Sequence, residues 1–338
     1  MSRPRALAVP VANQYSEGKG KRMHYRKLGR SDLEVSTVCV GTWAIGGDFW
    51  GDVDDENSIR AIQAGLDAGV NFIDTAPAYG AGHAEEVVGR AVKGRRDKVV
   101  IATKVGVHRT PTKFIRDLSP DSMRQEVDDS LRRLGVDVID LYQIHWPDGK
   151  TPFEQVMKVL LDAKQAGKFR YLGVSNFGVE QMEELRQFGE IVSLQPHYSL
   201  LKRDIEQEIV DYCVGNSIGI INYGTLGGGI LTGKFDELPR FEEGDNRDNF
   251  YPWFKEPEWT RVQGVVEALR RIAGERDIPV AHVAIAWTLQ QRGITSALVG
   301  ARTQEQAVSN ARAADVELSG DELARIEDAY RAMADQAG

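Results

Sequence analysis

An acid, a phenol, an amine and an imidazole recur in this chain at one kind of place, the far end of a short apolar run. Asp74 closes the run at 70–73 and leads into a Pro/Gly-punctuated loop carrying Tyr79. Lys104 follows the run at 99–103, and His145 follows the one at 138–144. Each alone has a bland explanation as a loop cap or a solvated strand end. Together they suit proton transfer to a carbonyl oxygen as hydride reaches the carbon. A tyrosine hydroxyl, with a pKa of about 10 in isolation, performs that transfer if a neighbouring cation lowers it toward neutrality. Lys104 is the candidate cation, Asp74 its partner, and neutral His145 a hydrogen-bond donor to the substrate oxygen. A lysine beside an acid also suits a Schiff-base nucleophile, a reading that leaves the other strand-end residues without a task. Those are Thr42, Trp43, Trp146, Ser175, Asn176, Gln195, Tyr223, Gly300, Ala301 and Arg302. The six histidines show no H-E-x-x-H spacing, so no metal is expected.

The elements that must position these residues alternate. Runs at 37–41, 70–73, 99–103, 138–144, 169–174, 191–194, 218–222 and 294–299 read as buried strands. Helical patterns at 55–68, 84–92, 120–134, 152–166, 180–188, 205–214, 261–275, 280–291, 303–313 and 320–334 separate or follow them. Ser119-Pro120 reads as an N-cap with proline at the first helical position. A short hairpin at 24–36 precedes the alternation, and 224–259 is a long connection rich in glycine, proline and aromatics. The pattern predicts an α/β fold, a (β/α)8 TIM barrel with an N-terminal β-hairpin and long rim loops, with a doubly wound sheet as the alternative. A barrel gathers the strand-end residues on one rim. Residues 1–22 read as a flexible N-terminal arm and 23–334 as a single domain.

Composition narrows the partners. With 50 acidic and 42 basic residues the formal charge is −8, which disfavours nucleic acid or an anionic membrane while leaving room for a local basic pocket. Cys39 and Cys213, the only cysteines, sit in apolar contexts, and a reducing, cytoplasmic setting is expected. No run of about 18 apolar residues is present to span a bilayer.

In Asp74-Thr75-Ala76-x-x-Tyr79-Gly80, Ala102-Thr103-Lys104, residues 140–145, Gly173-Val174-Ser175-Asn176-Phe177 and Leu231-Thr232-Gly233-Lys234, the sequence resembles the aldo-keto reductases from His24 to about Tyr330. Within them it is most similar to the bacterial branch of general-stress and inositol-operon reductases, relatives of the potassium-channel β subunits. The resemblance, with the rim residues and the Arg302 region, points to an NADPH-dependent oxidoreductase reducing an aldehyde or ketone. Asp74, Tyr79, Lys104 and His145 would be the catalytic tetrad, with Tyr79 the proton donor. It implies an extended nicotinamide cofactor whose carboxamide meets Ser175, Asn176 and Gln195, whose ring stacks on Tyr223, and beside which Thr42, Trp43 and Asp74 lie; Arg302, near a helix start, suits an adenosine 2′-phosphate and so favours NADPH over NADH. Gly224, Thr225, Leu226, Gly227, Gly228 and Lys234 would hold the pyrophosphate, under a loop carrying Arg247. Gly300, Ala301, Arg302, Gln306 and Asn310 match the adenosine end. Many members carry serine after the stacking tyrosine, where this chain has Gly224.

Two imitations are set aside. Gly228-x4-Gly233-Lys234 mimics a P-loop, but Phe235 replaces the magnesium-binding Ser/Thr, and no Gly-x-Gly-x-x-Gly follows a strand. Trp43, Phe49, Trp50, Trp146 and residues 249–254 suggest an aromatic-walled pocket for a small carbonyl compound, with Trp43, Tyr79, His145 and Trp146 nearest the substrate; the alternative for 250–254 is that they pack the long connection. The other class of function open to such a chain is an NADPH-sensing regulatory subunit.

Overall fold

The structure, a computed structural model, describes residues 23–47, 50–51, 53–110 and 113–336. The arm at 1–22 and Phe49 lie outside the described residues. Strands β1 (Tyr25–Lys27) and β2 (Glu34–Ser36) form an antiparallel hairpin. The chain continues through β3 (Val38–Gly41), β4 (Phe72–Asp74), β5 (Val100–Val105), β6 (Val107–Arg109), β7 (Phe114–Arg116), β8 (Ile139–Ile144), β9 (Phe169–Ser175), β10 (Ser193–Gln195), β11 (Gly219–Asn222) and β12 (Ile294–Gly300). Strands β3, β4, β5 and β8 to β12 pair in parallel in that circular order, and β12 returns to β3 to close an eight-stranded barrel. This is the (β/α)8 barrel the alternation predicts.

Side chains alternate across each barrel strand, so residues two apart share a face. Phe72, Ala102, Leu141, Ile221, Cys39 and Leu298 form one apolar layer inside the barrel, joined by Leu28, Leu33 and Val35 of the N-terminal hairpin. Two residues further along the same strands come Asp74, Lys104, Gln143 and Tyr223. The polar layer of the site is thus stacked directly on the apolar layer that plugs the barrel. The hairpin seals the opposite end: Leu28 is wholly buried, and the Arg26 guanidinium donates to the Ile294 and Leu289 carbonyls. Gly29 needs its positive φ of 54° and its missing side chain there, since a Cβ would fall 2.2 Å from the Val192 carbonyl oxygen.

Helices coat the outside. Asp55–Asp67 begins where the Asp54 carboxylate accepts from the Asn57 amide. Gly320–Asp335 begins with a capping box between Ser319 and Glu322. Pro120–Leu134 starts with proline as expected, but the Ser119 side chain makes no capping bond. The helix expected at 205–214 is split into a 3-10 turn, Asp204–Glu206, and the helix Ile209–Gly215, with Glu208 between them off helical geometry at φ −144°. The long connection is built rather than loose. It holds 3-10 turns at Gly227–Thr232 and Pro252–Phe254 and a short helix Arg247–Phe250. Sequence reading missed the β6/β7 hairpin, whose strands of three residues each are too short to show a period.

Candidate active site

Asp74 ends β4, and Tyr79 opens a 3-10 turn, Tyr79–Gly82, beyond it. That turn is locked to a second one, Trp43–Gly46, which follows β3. The lock depends on two glycines: a Cβ on Gly80 would lie 2.2 Å from the Gly46 carbonyl oxygen, and one on Gly46 would lie 2.7 Å from the Gly80 nitrogen. Trp43 is thereby held against Tyr79, ring centres 6.4 Å apart. Thr42 fixes the strand end, its hydroxyl and its amide both donating to the Asp74 carbonyl at 3.0 and 3.1 Å.

Lys104 lies within β5 and is fully buried. Its Nζ donates to Asp74 Oδ2 at 2.6 Å, to the Thr75 carbonyl at 2.9 Å and to the Tyr79 hydroxyl at 3.1 Å. The other carboxylate oxygen, Oδ1, accepts from Gln195 at 2.7 Å and Gln143 at 3.1 Å. A buried ion pair survives when its remaining lone pairs are satisfied, and here they are. Burial alone would pull the Lys104 ammonium down, but Asp74 and Tyr79 outweigh it and hold its pKa above the ordinary value. A Schiff-base nucleophile needs the neutral amine, so this array works against that chemistry.

Tyr79 corrects an expectation. Burial pushes its phenol above the ordinary value; the Lys104 charge pulls the other way without prevailing, and Asp74 adds to the rise. The phenol is not brought toward neutrality and stays protonated, as a proton donor requires. His145, just past β8, is drawn well below the usual imidazole range by burial and then by the charges of Lys104 and Arg116. It is neutral and meets Tyr79 edge-on, ring centres 6.0 Å apart.

Gln143 went unremarked in the sequence although it stands in the 140–145 motif. The available signal was alternation: Leu141 faces the barrel interior, so Gln143 and His145 do too.

Beyond β9 to β11, the residues expected around a carboxamide come together but bond to one another. Ser175 donates to the Gln195 carbonyl, Asn176 donates to Ser175 and to the His145 carbonyl, and Tyr223 donates to the Asn176 side chain at 2.9 Å. Gln195 is turned to Asp74. Tyr223 is backed by His197, stacked at 5.0 Å, and the His197 ring occupies the place of a side chain on Gly224, whose Cβ would fall 2.5 Å from it. That is a physical reason for glycine at 224. Thr225 is buried with its hydroxyl on the Leu298 carbonyl, and Leu226 packs against the core.

Gly227, Gly228 and Gly229 all take positive φ, and Tyr251 and Phe254 pack where a Gly228 side chain would be. Lys234 lies beside them, its pKa lowered by burial and then by the nearby Arg247 and Arg302 guanidiniums. Three cations converge there, a grouping that favours a polyanion. A clasp crosses them: Trp50 bridges to Asp245, Asp245 pairs with Arg247 at 2.6 Å, and Arg302 donates to the Trp50 carbonyl at 3.1 Å. Past β12, Gln306 accepts from the Arg302 amide, Asn310 donates to the Gly300 carbonyl, and Ala301 is buried. Of the aromatic wall, Trp43 meets Trp50 and Phe250 edge-on at 5.4 and 5.1 Å. Tyr251, Trp253 and Phe254 instead sink into the core of the long connection. A depression of about 410 Å³ on the barrel flank, lined by Met23, Ala64 and Arg312 among others, shares no residue with this set. Among the described residues no cluster of His, Cys, Asp or Glu is arranged to hold a metal, and no helix is long and apolar enough to cross a membrane.

Known proteins carry the same fold and sequence pattern. The profile of the Aldo/keto reductase family matches residues 37–331. The chain is 42% identical over 287 residues to the aldo-keto reductase YhdN of Bacillus subtilis, covering 84% of this chain and 86% of that protein. It is 36% identical over 310 residues to an NADH-specific methylglyoxal reductase of Escherichia coli, covering 86% of this chain and 94% of the relative. A glycerol dehydrogenase from Gluconobacter oxydans superposes with a TM-score of 0.83 at 40% identity, covering 90% of this chain and 94% of the other. A family profile spanning most of the chain, on a closed barrel of this kind, makes the protein a member of the aldo/keto reductase family, an oxidoreductase with a nicotinamide cofactor.

Proposed function

We propose that the protein is an NADPH-dependent reductase of small aldehydes or ketones, with Tyr79 as the proton donor. The observation that carries this reading is the Tyr79 hydroxyl 3.1 Å from the buried Lys104 ammonium, itself fixed by Asp74. Lys234, Arg247 and Arg302, beside glycines that let backbone approach phosphate, suit the phosphates of the dinucleotide, and a reduced nicotinamide supplies hydride to the carbonyl carbon.

The protein's own part is positioning and proton delivery. Neutral His145 orients the carbonyl oxygen by a hydrogen bond, and Tyr79 gives that oxygen its proton as charge develops there. Lys104 stabilises the phenolate left behind until solvent reprotonates it. Asp74 keeps Lys104 charged and in place, and Trp43 walls the pocket against water.

Replacing Tyr79 by Phe tests the assignment. Reduction should fall by at least about 10²-fold, the usual weight of general acid catalysis, while NADPH binding, followed by fluorescence, is kept. Full turnover in that variant would refute the donor role. Because the E. coli relative is named NADH-specific, the cofactor is tested with both nucleotides in parallel.

A further inference from the structure

One guanidinium at the barrel mouth enters the chemistry above only through its charge on His145. Arg116 ends β7, and the hairpin register sets Arg116 opposite Val107 and Arg109 opposite Phe114. Cross-strand partners and residues two apart share a face, so Arg109, Arg116 and Phe114 lie on one side of the hairpin and His108 and Ile115 on the other. His108 is tied to helix Pro120–Leu134, bonding Ser122 at 2.8 Å with Glu126 at 3.3 Å. That turns the arginine face toward the site. Arg116 stacks over the Trp146 ring at 4.2 Å, and its charge is one of those that keep His145 neutral.

Among the described residues no carboxylate forms an ion pair with Arg116. Two acids flanking the pair are bonded to backbone: Asp117, next to Arg116, accepts from the Ser119 amide, and Asp148, two residues past Trp146, accepts from the amides of Leu118, Lys150 and Thr151. Lys104 and Asp74 cancel each other. Arg116 thus stands without an ion-pair partner among the described residues, in a protein whose formal charge is −8.

We propose that Arg116, held over the Trp146 ring, binds a carboxylate or phosphate at the far end of the carbonyl substrate, making anionic aldehydes or ketones the preferred class. This rests on the carbonyl-reductase reading of the same site. Stacking on the indole face leaves the planar N–H fork of the guanidinium to meet two oxygens of an oxyanion at once. With the oxygens held there and the carbonyl held by His145, both ends of the substrate are fixed. A neutral aldehyde is fixed at one end only.

The test compares kcat/KM for benzaldehyde, 4-carboxybenzaldehyde and 4-formylphenyl phosphate, in the intact protein and in Arg116→Met and Arg116→Lys. The native protein is expected to favour one or both charged compounds, and added salt to narrow that preference. In Arg116→Met the ratio of charged to neutral kcat/KM should fall about tenfold, chiefly through KM, the scale of one charge-assisted hydrogen bond. Arg116→Lys should restore part of it. Which charged compound gains identifies carboxylate or phosphate as the recognised group. A ratio that Arg116→Met leaves unchanged, with benzaldehyde still reduced, overturns this inference alone. Absence of turnover on all three compounds with either nicotinamide overturns the reductase reading with it.

Discussion

Asp74 is the residue on which the site turns, because its two oxygens take a cation on one side and two amides on the other. Losing the Gln143 amide leaves a buried carboxylate one donor short. Gln143→Met should therefore cost about 1.5–3 kcal/mol of stability, seen in denaturant melts, and lower kcat with little change in NADPH affinity. Arg302→Ala should weaken NADPH about ten- to a hundredfold and NADH far less, read by titrating both nucleotides. Equal losses would mean that Arg302 does not meet the 2′-phosphate. Asp74, Lys104 and His145 were legible because each follows an apolar run with a group no core needs, and Tyr79 because it stands in the loop beyond one. Gln143 was hidden inside such a run, and the upward shift of Tyr79 depends on burial that spacing alone does not reveal.

At the level of elements, the β6/β7 hairpin is moored by one carboxyl. Glu126 accepts from the Gly106 amide at 3.0 Å and from Ser122, and burial raises its pKa to about 7. A carboxyl raised in the fold above its unfolded value of 4.5 contributes stability that is fully present below that value and lost as pH rises through about 7. Thermal melts should thus show stability declining between about pH 4.5 and 7, by up to about 3 kcal/mol from this group. Glu126→Gln should flatten that decline; an unchanged pH profile in the variant would place its cause elsewhere. The locked 3-10 turns make a second element-scale expectation. Gly80→Ala meets the Gly46 carbonyl and a positive φ together, so it should misplace Tyr79 and reduce kcat even where the protein still folds. The strands and most helices were readable from period. The β6/β7 hairpin and the split at Glu208 were not, because short pieces carry too few residues to declare a period.

Across the whole molecule, structural burden and chemistry sit at opposite ends of one barrel. The N-terminal hairpin drives Leu28, Leu33 and Val35 into the apolar layer beneath Asp74 and Lys104. Leu28→Ala should cost about 2–5 kcal/mol in melts and leave kcat near its native value at 25 °C. The closed barrel was legible because strand and helix signals alternate eight times over. The plug was not, since nothing in a short hairpin announces what it will cover.

The clasp of Trp50, Asp245 and Arg302 also bears on what a rate measurement reports. If the dinucleotide binds at Lys234, Arg247 and Arg302 as proposed, its departure would require the Trp50 bridge to open, and such openings commonly run slower than chemistry. Steady-state turnover would then time the departure of oxidised cofactor. Deuterium at the transferred position of the nicotinamide should scarcely slow kcat, while slowing the first turnover in a stopped-flow trace severalfold. A full isotope effect on kcat would show instead that the clasp opens freely.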